Sequence, residues 1–316
     1  MYKLFIISVF SLVSICAKDI KPTFILKSSG FVNDFVLDGT FLYVANDEGS
    51  VEVFDLNEKK LINEIFIKPT PDVEGKPVTS KVLSVDRLGG KTLIVSTTTN
   101  GYRNVWIHDG NKLKNIKNPK DKLAIKKARF VDDETYIFGT LGYDIVKYDI
   151  NDNALAYRVH VEQSAFSDMV LNEDKNLSIT ASESGQVTVS DIKSGKILKR
   201  YNTLNVDNIY KVAYKNDIII TAGQDRRVGV YPKNAKPYYI RSNFMVYAVG
   251  LSPSGKTGVY SSDMDSNLQL FDVKTGKKTD RLIGHSAIPS TIKFFDEAGV
   301  FSAGYENKIY YWYLED

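Results

Sequence analysis

Short runs of apolar residues recur along this chain, most of them alternating with polar ones and each closed by a cluster of Gly, Asn, Asp or Ser. Residues 31–56 show the unit. Two alternating runs flank Asp38-Gly39, a hairpin signal; a second turn follows at 46–50, and a third run at 51–54. No long stretch sets apolar residues at i, i+3, i+4 and i+7, so strands are expected and helices are not. Some runs are apolar on both faces, as in Tyr310-Tyr311-Trp312-Tyr313, which calls for sheets covered on both sides.

The unit repeats. Similar copies lie at 82–109, 125–150, 166–192, 209–232, 246–273 and 283–314, making seven. The third run of each ends on Asp55, Asp109, Asp149, Asp191, Pro232, Asp272 and Tyr313, at successive spacings of 54, 40, 42, 41, 40 and 41 residues. A period of about 40–45 residues with four strands per unit is that of a propeller. One unit cannot cover its own apolar faces, so neighbours must stack, and a ring of them leaves only short, protected edges. Six copies have a fourth run, at 61–67, 113–117, 155–161, 197–201, 237–241 and 277–282; the seventh stops without one. Residues 23–27, ahead of the first copy, are the spare strand. Their pairing with 309–313 is the expected closure, because an unpaired edge is a liability.

The last copy opens on Gly284-His285, carries Ser302 on its second run and Glu306 in the next turn, and has Trp312 on its third run. On these motifs the chain resembles WD40 repeats over nearly all of its length. In that family a His, a Ser or Thr, an Asp and a Trp form a hydrogen-bonded tetrad. The resemblance implies that role for His285, Ser302, Glu306 (where Asp is usual) and Trp312. The fifth copy keeps Thr221 and Asp225 and the sixth Ser261 and Asp265, without the His or the Trp. The expected fold is all-β: a seven-bladed WD40-like β-propeller, its ring closed by an N-terminal strand completing the C-terminal blade.

Residues 1–17 set Lys3, an apolar core at 4–15 and small residues before Lys18-Asp19. This is the layout of a secretory signal peptide, cleaved after Cys16 or Ala17. The core is too short to span a membrane as a helix. Ile15, where a lipoprotein signal has a small residue, speaks against lipidation of Cys16. That cysteine is the single one, so the exported domain, 18–316, would hold no disulfide; a domain of this size is stable without one. The expectation is a soluble periplasmic monomer. Its composition, 43% hydrophobic and 25% charged, is ordinary, and a net charge of +3 argues against nucleic acid as a partner.

The long first spacing comes from residues 68–80, whose three prolines make an extended, non-helical insertion. Insertions in repeat proteins collect on the binding face. Here that face bears the connections between blades and the turns between second and third strands. Arg103, Lys120, Lys122, Lys126, Lys127, Arg226 and Arg227 are assigned to it and would steer an acidic partner. A solvated rim of charge is the alternative.

Catalytic chemistry finds little footing. His108, His160 and His285 fall in separate copies without metal-ligand spacing, and there is no GxSxG or P-loop. Asp34, Asp86 and Asp168 are the carboxylates that inner strands would bring toward the axis, where a lactonase-like hydrolase would hold a cation; ordinary turn chemistry accounts for them equally. No haem-attachment CxxCH or iron–sulfur ligand set occurs. No catalytic residue, metal or cofactor is assigned.

A signal peptide, degenerate WD-type repeats, no cysteine in the exported part and a Lys-, Asn- and Ile-rich composition also resemble the NapL family, periplasmic accessory proteins of the periplasmic nitrate reductase system. The resemblance implies a non-catalytic protein-binding scaffold with periplasmic nitrate reductase components as partners, supporting maturation or electron delivery by docking. An outer-membrane assembly scaffold and a lactonase-like metal-dependent hydrolase are the alternative readings.

Overall fold

The structure, a computed structural model, describes residues 17–315; the assigned signal peptide, Ala17 apart, lies outside them. The chain forms seven successive antiparallel blades. Blade 1 is Val32–Asp38, Phe41–Asn46, Ser50–Asp55 and Lys60–Phe66, and blade 2 is Val82–Leu88, Lys91–Thr97, Arg103–His108 and Leu113–Lys117. Blade 3 is Ile125–Phe130, Thr135–Thr140, Asp144–Asp149 and Leu155–His160; blade 4 is Phe166–Leu171, Leu177–Ser182, Val187–Asp191 and Ile197–Tyr201. Blade 5 is Ile209–Lys215, Ile218–Gly223, Arg227–Pro232 and Tyr238–Arg241; blade 6 is Val249–Leu251, Thr257–Ser261, Leu268–Asp272 and Lys278–Leu282. Blade 7 has three strands of its own, Pro289–Phe294, Gly299–Gly304 and Lys308–Tyr313. The first strand of each blade lines a central channel.

The ring closes where the spare strand was expected. Phe24–Lys27 pairs antiparallel with the last strand of blade 7, Phe24 opposite Tyr311 and Leu26 opposite Ile309. Thr23 N donates to Tyr311 O at 2.7 Å and Ser28 N to Asn307 O at 2.9 Å, which extends the ladder at both ends. Leu26 is buried in the apolar seam between blades 7 and 1. One element was not anticipated. Asp19–Ile20 pairs parallel with Lys278–Leu282, adding a fifth strand to blade 6. Arg281 clamps Asp19 through two hydrogen bonds of 2.8 Å. The N-terminal segment therefore straps blade 6 as well as blade 7.

The recurring Asp at the end of the third strand has a local cause. Each turns the chain into the outer strand by accepting backbone N–H groups just beyond it: Asp55 from Asn57 and Glu58, Asp109 from Asn111 and Lys112, Asp149 from Asn151 and Asp152. Asp191 and Asp272 do the same with Ser194 and Thr275. These are Asx turns. Tyr313 stands at that position in blade 7, where no outer strand follows and no such turn is needed.

Every seam between neighbouring blades holds its own buried apolar cluster. Both faces of each blade are thus covered. Burying one large apolar side chain is worth about 1.5–3 kcal/mol, so the seams carry most of the favourable term. Packing is close: a Cβ on Gly139 of blade 3 would lie 2.4 Å from the ring of Phe166 in blade 4.

The insertion between blades 1 and 2 is extended, as its prolines require, and folds into a small hairpin of Thr70–Pro71 against Pro77–Val78. Thr99 of blade 2 donates to Pro71 O at 2.9 Å and ties the hairpin to that blade's turn. Among the described residues the only helical element is the turn Pro119–Asp121, and no helix is long and apolar enough to cross a membrane.

Candidate functional site

The channel and its mouth gather most of the buried charge. Six of the seven inner strands carry a register shift at the same place, just inside the face where the blade-to-blade connections emerge: at Asn33, Leu83, Lys126, Ser167, Tyr210 and Ser290. A bulge inserts one unpaired residue and re-aims its side chain. Here several of them reach the next blade around the ring. Asn33 Nδ2 donates to Val82 O at 2.8 Å, Lys126 Nζ to Phe166 O at 3.1 Å, and Ser167 Oγ to Asn208 Oδ1 at 2.9 Å. The Tyr210 ring stacks on Tyr247 at 5.0 Å.

The residue after the bulge lines the channel in five of these strands, Asp34, Lys127, Asp168, Lys211 and Thr291, and in blade 2 it is Ser84, buried against Asp34 and Arg129. Inner strands expose a backbone edge toward the axis, and buried backbone groups need partners. The carboxylates supply them. Asp34 accepts from Phe35 N at 3.0 Å and Val85 N at 3.4 Å, Asp86 from Phe130 N at 2.8 Å, and Asp168 from Val212 N at 3.1 Å. Cations complete them: Arg129 meets Asp34 at 3.1 Å and Lys127 meets Asp168 at 2.5 Å. Lys293 donates to Phe35 O and lies 3.9 Å from Asp34. Most of these bonds run from one blade to the next in the direction of the chain. Arg129, which reaches back to Ser84 and Asp34, and Lys175, which reaches back to Phe130, run the other way.

Burial would raise the Asp34 carboxyl, but Arg129, Lys293 and Lys127 hold it well below the usual carboxylate range. Burial likewise acts against Asp168, and Lys127 and Lys211 outweigh it. The Lys127 ammonium is pushed down to about 8 by burial, with Asp168 resisting. Asp34, Asp86 and Asp168 do converge on the channel, a cavity of about 450 Å³. The oxygens of Asp34 and Asp168, however, are already taken by cations and backbone N–H groups, and Asp86 accepts from Phe130 N. Among the described residues no group of three or more His, Cys, Asp or Glu is arranged to hold a metal ion. These carboxylates help to hold the channel together.

In blade 7 His285 Nδ1 bonds Glu306 Oε1 at 2.8 Å and Nε2 bonds the Ser302 hydroxyl. Burial lowers the imidazole against the pull of Glu306, while hydrogen bonds from His285, Ser286 and Tyr310 outweigh burial and lower Glu306 to about 2. Trp312 departs from the tetrad implied for it. Its indole N–H donates to Ile283 O at 3.2 Å, and Tyr310 takes the place beside the carboxylate with a 2.9 Å bond to Glu306 Oε2. Blade 5 builds a comparable network that its sequence motif does not reveal. Asn205 stands in for the histidine, accepting from Thr221 Oγ1 at 2.6 Å and donating to Asp225 Oδ1 at 3.1 Å. In blade 2 Trp106 donates to Ser96 Oγ at 2.9 Å. Blade 6 differs from the motif reading: Ser261 Oγ accepts from Tyr247 N and Ala248 N, and Asp265 is exposed while Asp263 organises the turn.

The seven basic residues assigned to one face separate into four groups. Lys120, Lys122 and Arg226 are exposed there. Lys127 is buried in the channel with Asp168, so it is no surface residue. Arg227 is turned away from a docking role: it donates to Leu204 O at 2.9 Å and lies over the Tyr239 ring at 4.7 Å, out along its own blade. Arg103 and Lys126 line the mouth of the channel together with Lys211.

Comparison with known proteins agrees with the architecture. No family model matches the chain. It is similar to Autophagy-related protein 16 of Arabidopsis thaliana, 27% identical over 168 residues, a match taking in 50% of this chain and 32% of that protein. The chain thus spans about a third of that curated relative. Among solved structures it is similar to the β-propeller domain of Myceliophteria thermophila Cps50 (Swd1), with a TM-score of 0.75 and 13% identity over 93% of this chain and 99% of that one. The chain is a seven-bladed WD40-like propeller. At this identity the likeness establishes the fold.

Proposed function

We propose that the protein is a non-catalytic docking scaffold, exported to the periplasm by residues 1–17. The observation that carries this reading is the engagement of the channel's buried charges in bonds from blade to blade. It leaves a rigid display surface in place of a reactive centre. That surface bears the exposed cations Lys120, Lys122 and Arg226 and the hairpin at 70–78. WD-repeat propellers commonly serve protein interaction, and this chain shares that fold. A narrower reading rests on the whole-chain resemblance described first: an accessory factor of periplasmic nitrate reductase, acting by contact because the chain has no redox ligand set of its own.

Affinity capture from periplasmic extract tests both levels, with a Lys120→Glu/Lys122→Glu/Arg226→Glu variant as the comparison. Specific capture that the variant loses supports docking through this face. Reductase subunits in the eluate support the narrower reading, and barrel-assembly components would replace it with an outer-membrane role. No specific partner, together with stoichiometric calcium in the purified protein, would favour the hydrolase instead.

A further inference from the structure

The face bearing the channel mouth is chemically divided. Toward blades 2, 3 and 5 it is basic. A cavity of about 310 Å³ opens there between Arg103, Lys126 and Lys211. Asp34 and Asp168 border the same cavity, but both are already satisfied by Arg129 and Lys127 and by backbone N–H groups. The three cations are less well served. Lys211 Nζ makes no hydrogen bond or ion pair among the described residues, and Lys126 has only a carbonyl. Arg103 spends Nη1 on the carbonyls of Gly101 and Tyr102, while its Nε is buried with no partner. Burial lowers the Arg103 guanidinium with no carboxylate to offset it. Asp168 acts on Lys126 and Lys211 only through space; among the described residues no carboxylate bonds to any of the three, and half-buried Arg103 and Lys211 beside exposed Lys126 favour an anion.

Toward blades 5, 6 and 7 the same face is aromatic. Tyr210 and Tyr247 stack at 5.0 Å with 16° between their planes, and Tyr305, in the second turn of blade 7, is 62% exposed. Burial raises the Tyr210 phenol, with Tyr247, Asp207 and Tyr305 adding to it, so these groups lie around one spot. Tyr210 and Lys211 are consecutive, the bulged residue and its successor. The basic and aromatic halves therefore meet at one strand start. Exposed aromatic surface beside an unpaired basic pocket marks an interaction site and fits a ligand with both characters.

We propose that this mouth is a clamp for an acidic segment of a partner protein. One carboxylate sits between Arg103, Lys126 and Lys211, and a neighbouring apolar side chain lies on Tyr210, Tyr247 and Tyr305. The proposal rests on the docking reading above and names the chemistry of the partner.

The test uses the purified protein and a labelled, glutamate-rich peptide carrying one phenylalanine, followed by fluorescence anisotropy. The expected result is saturable binding that weakens by about tenfold or more in Lys211→Glu and in Arg103→Gln, and on replacing the peptide's glutamates by glutamine. Tyr247→Ala weakens it too, and raised salt weakens it further. Lys211 is partly exposed and unbonded, so a matched thermal melt for Lys211→Glu shows that the ring is intact. Equal binding of the glutamine peptide, or unchanged binding by folded Lys211→Glu, overturns the proposal. So does complete displacement by inorganic phosphate at equal affinity, which would make the pocket a small-anion site. Capture from extract separates the two levels. A partner held equally by Lys211→Glu and by the parent protein sinks the clamp and leaves docking standing, whereas no partner for the parent sinks docking.

Discussion

Removing the closing strand should unmake the ring. Leu26 is 3% exposed in the seam between blades 7 and 1. Replacing a buried leucine by alanine costs about 2–5 kcal/mol, the spread reflecting how far the site collapses. Phe24, half-buried, stacks on Tyr311 at 4.7 Å and should contribute about 0.5–1.5 kcal/mol. The ladder to Lys308–Tyr313, with the flanking bonds of Thr23 and Ser28, adds roughly 0.5–1.5 kcal/mol per hydrogen bond. Together these rival the whole net stability of an ordinary domain, about 5–15 kcal/mol. Leu26→Ala should therefore lower the unfolding free energy by about 2–5 kcal/mol, and deletion of residues 17–28 should abolish the cooperative transition. Urea titration followed by tryptophan emission and by far-ultraviolet circular dichroism gives the measurement. Trp312 is buried in blade 7 and Trp106 half-buried in blade 2, so emission samples the joint and a distant blade. Leu198→Ala, on the exposed outer strand of blade 4, is the control and should stay within about 0.5 kcal/mol. A deletion with an unchanged midpoint, or a Leu26→Ala that matches the control, would refute the reasoning.

Other perturbations probe other joints. Gly139→Ala should destabilise the seam between blades 3 and 4 by about 1–3 kcal/mol, because its Cβ would meet the Phe166 ring at 2.4 Å; a thermal melt equal to the parent's counts against that packing. Asn205→Ala should cost about 2–3 kcal/mol by stranding Thr221 and Asp225, and urea titration would expose a neutral substitution. Acid should weaken the fold through Glu306, whose folded value is lowered to about 2 from an ordinary 4.5. Its stabilisation is complete above the ordinary value and is lost as pH falls toward 2. Glu306→Gln should thus be less stable at neutral pH and show a shallower decline across that window; parallel pH profiles would contradict it.

The blade count was legible because burial on both faces forces a recurring apolar pattern, and because Asp at the end of the third strand marks the turn into the outer strand in five of the six blades that have one in sequence, Pro232 standing there in blade 5. The spare strand was legible by subtraction: one blade lacked a fourth run and one run lacked a blade. Other features left no such trace. A bulge adds a single residue to an apolar run, so Lys126 and Lys127 read alike as surface lysines although one is at the mouth and the other buried against Asp168. Asn205 looks like any loop asparagine until the ring places it against Thr221 and Asp225. Trp312 carried the motif's letter without its bond: its indole N–H donates to Ile283 O instead. In each case the deciding partner comes from another blade or another turn, and local periodicity does not report it.

The forward reach of the inner-strand side chains bears on how such a molecule can be recombined. A module cut out at a blade boundary would keep the side chains that reach onward and lose the carbonyls that accept from them and the amides that donate to them. Swapping or duplicating one blade should therefore injure its downstream junction more than its upstream one. A working chimera would have to carry over the opening residues of the following inner strand along with the transplanted piece.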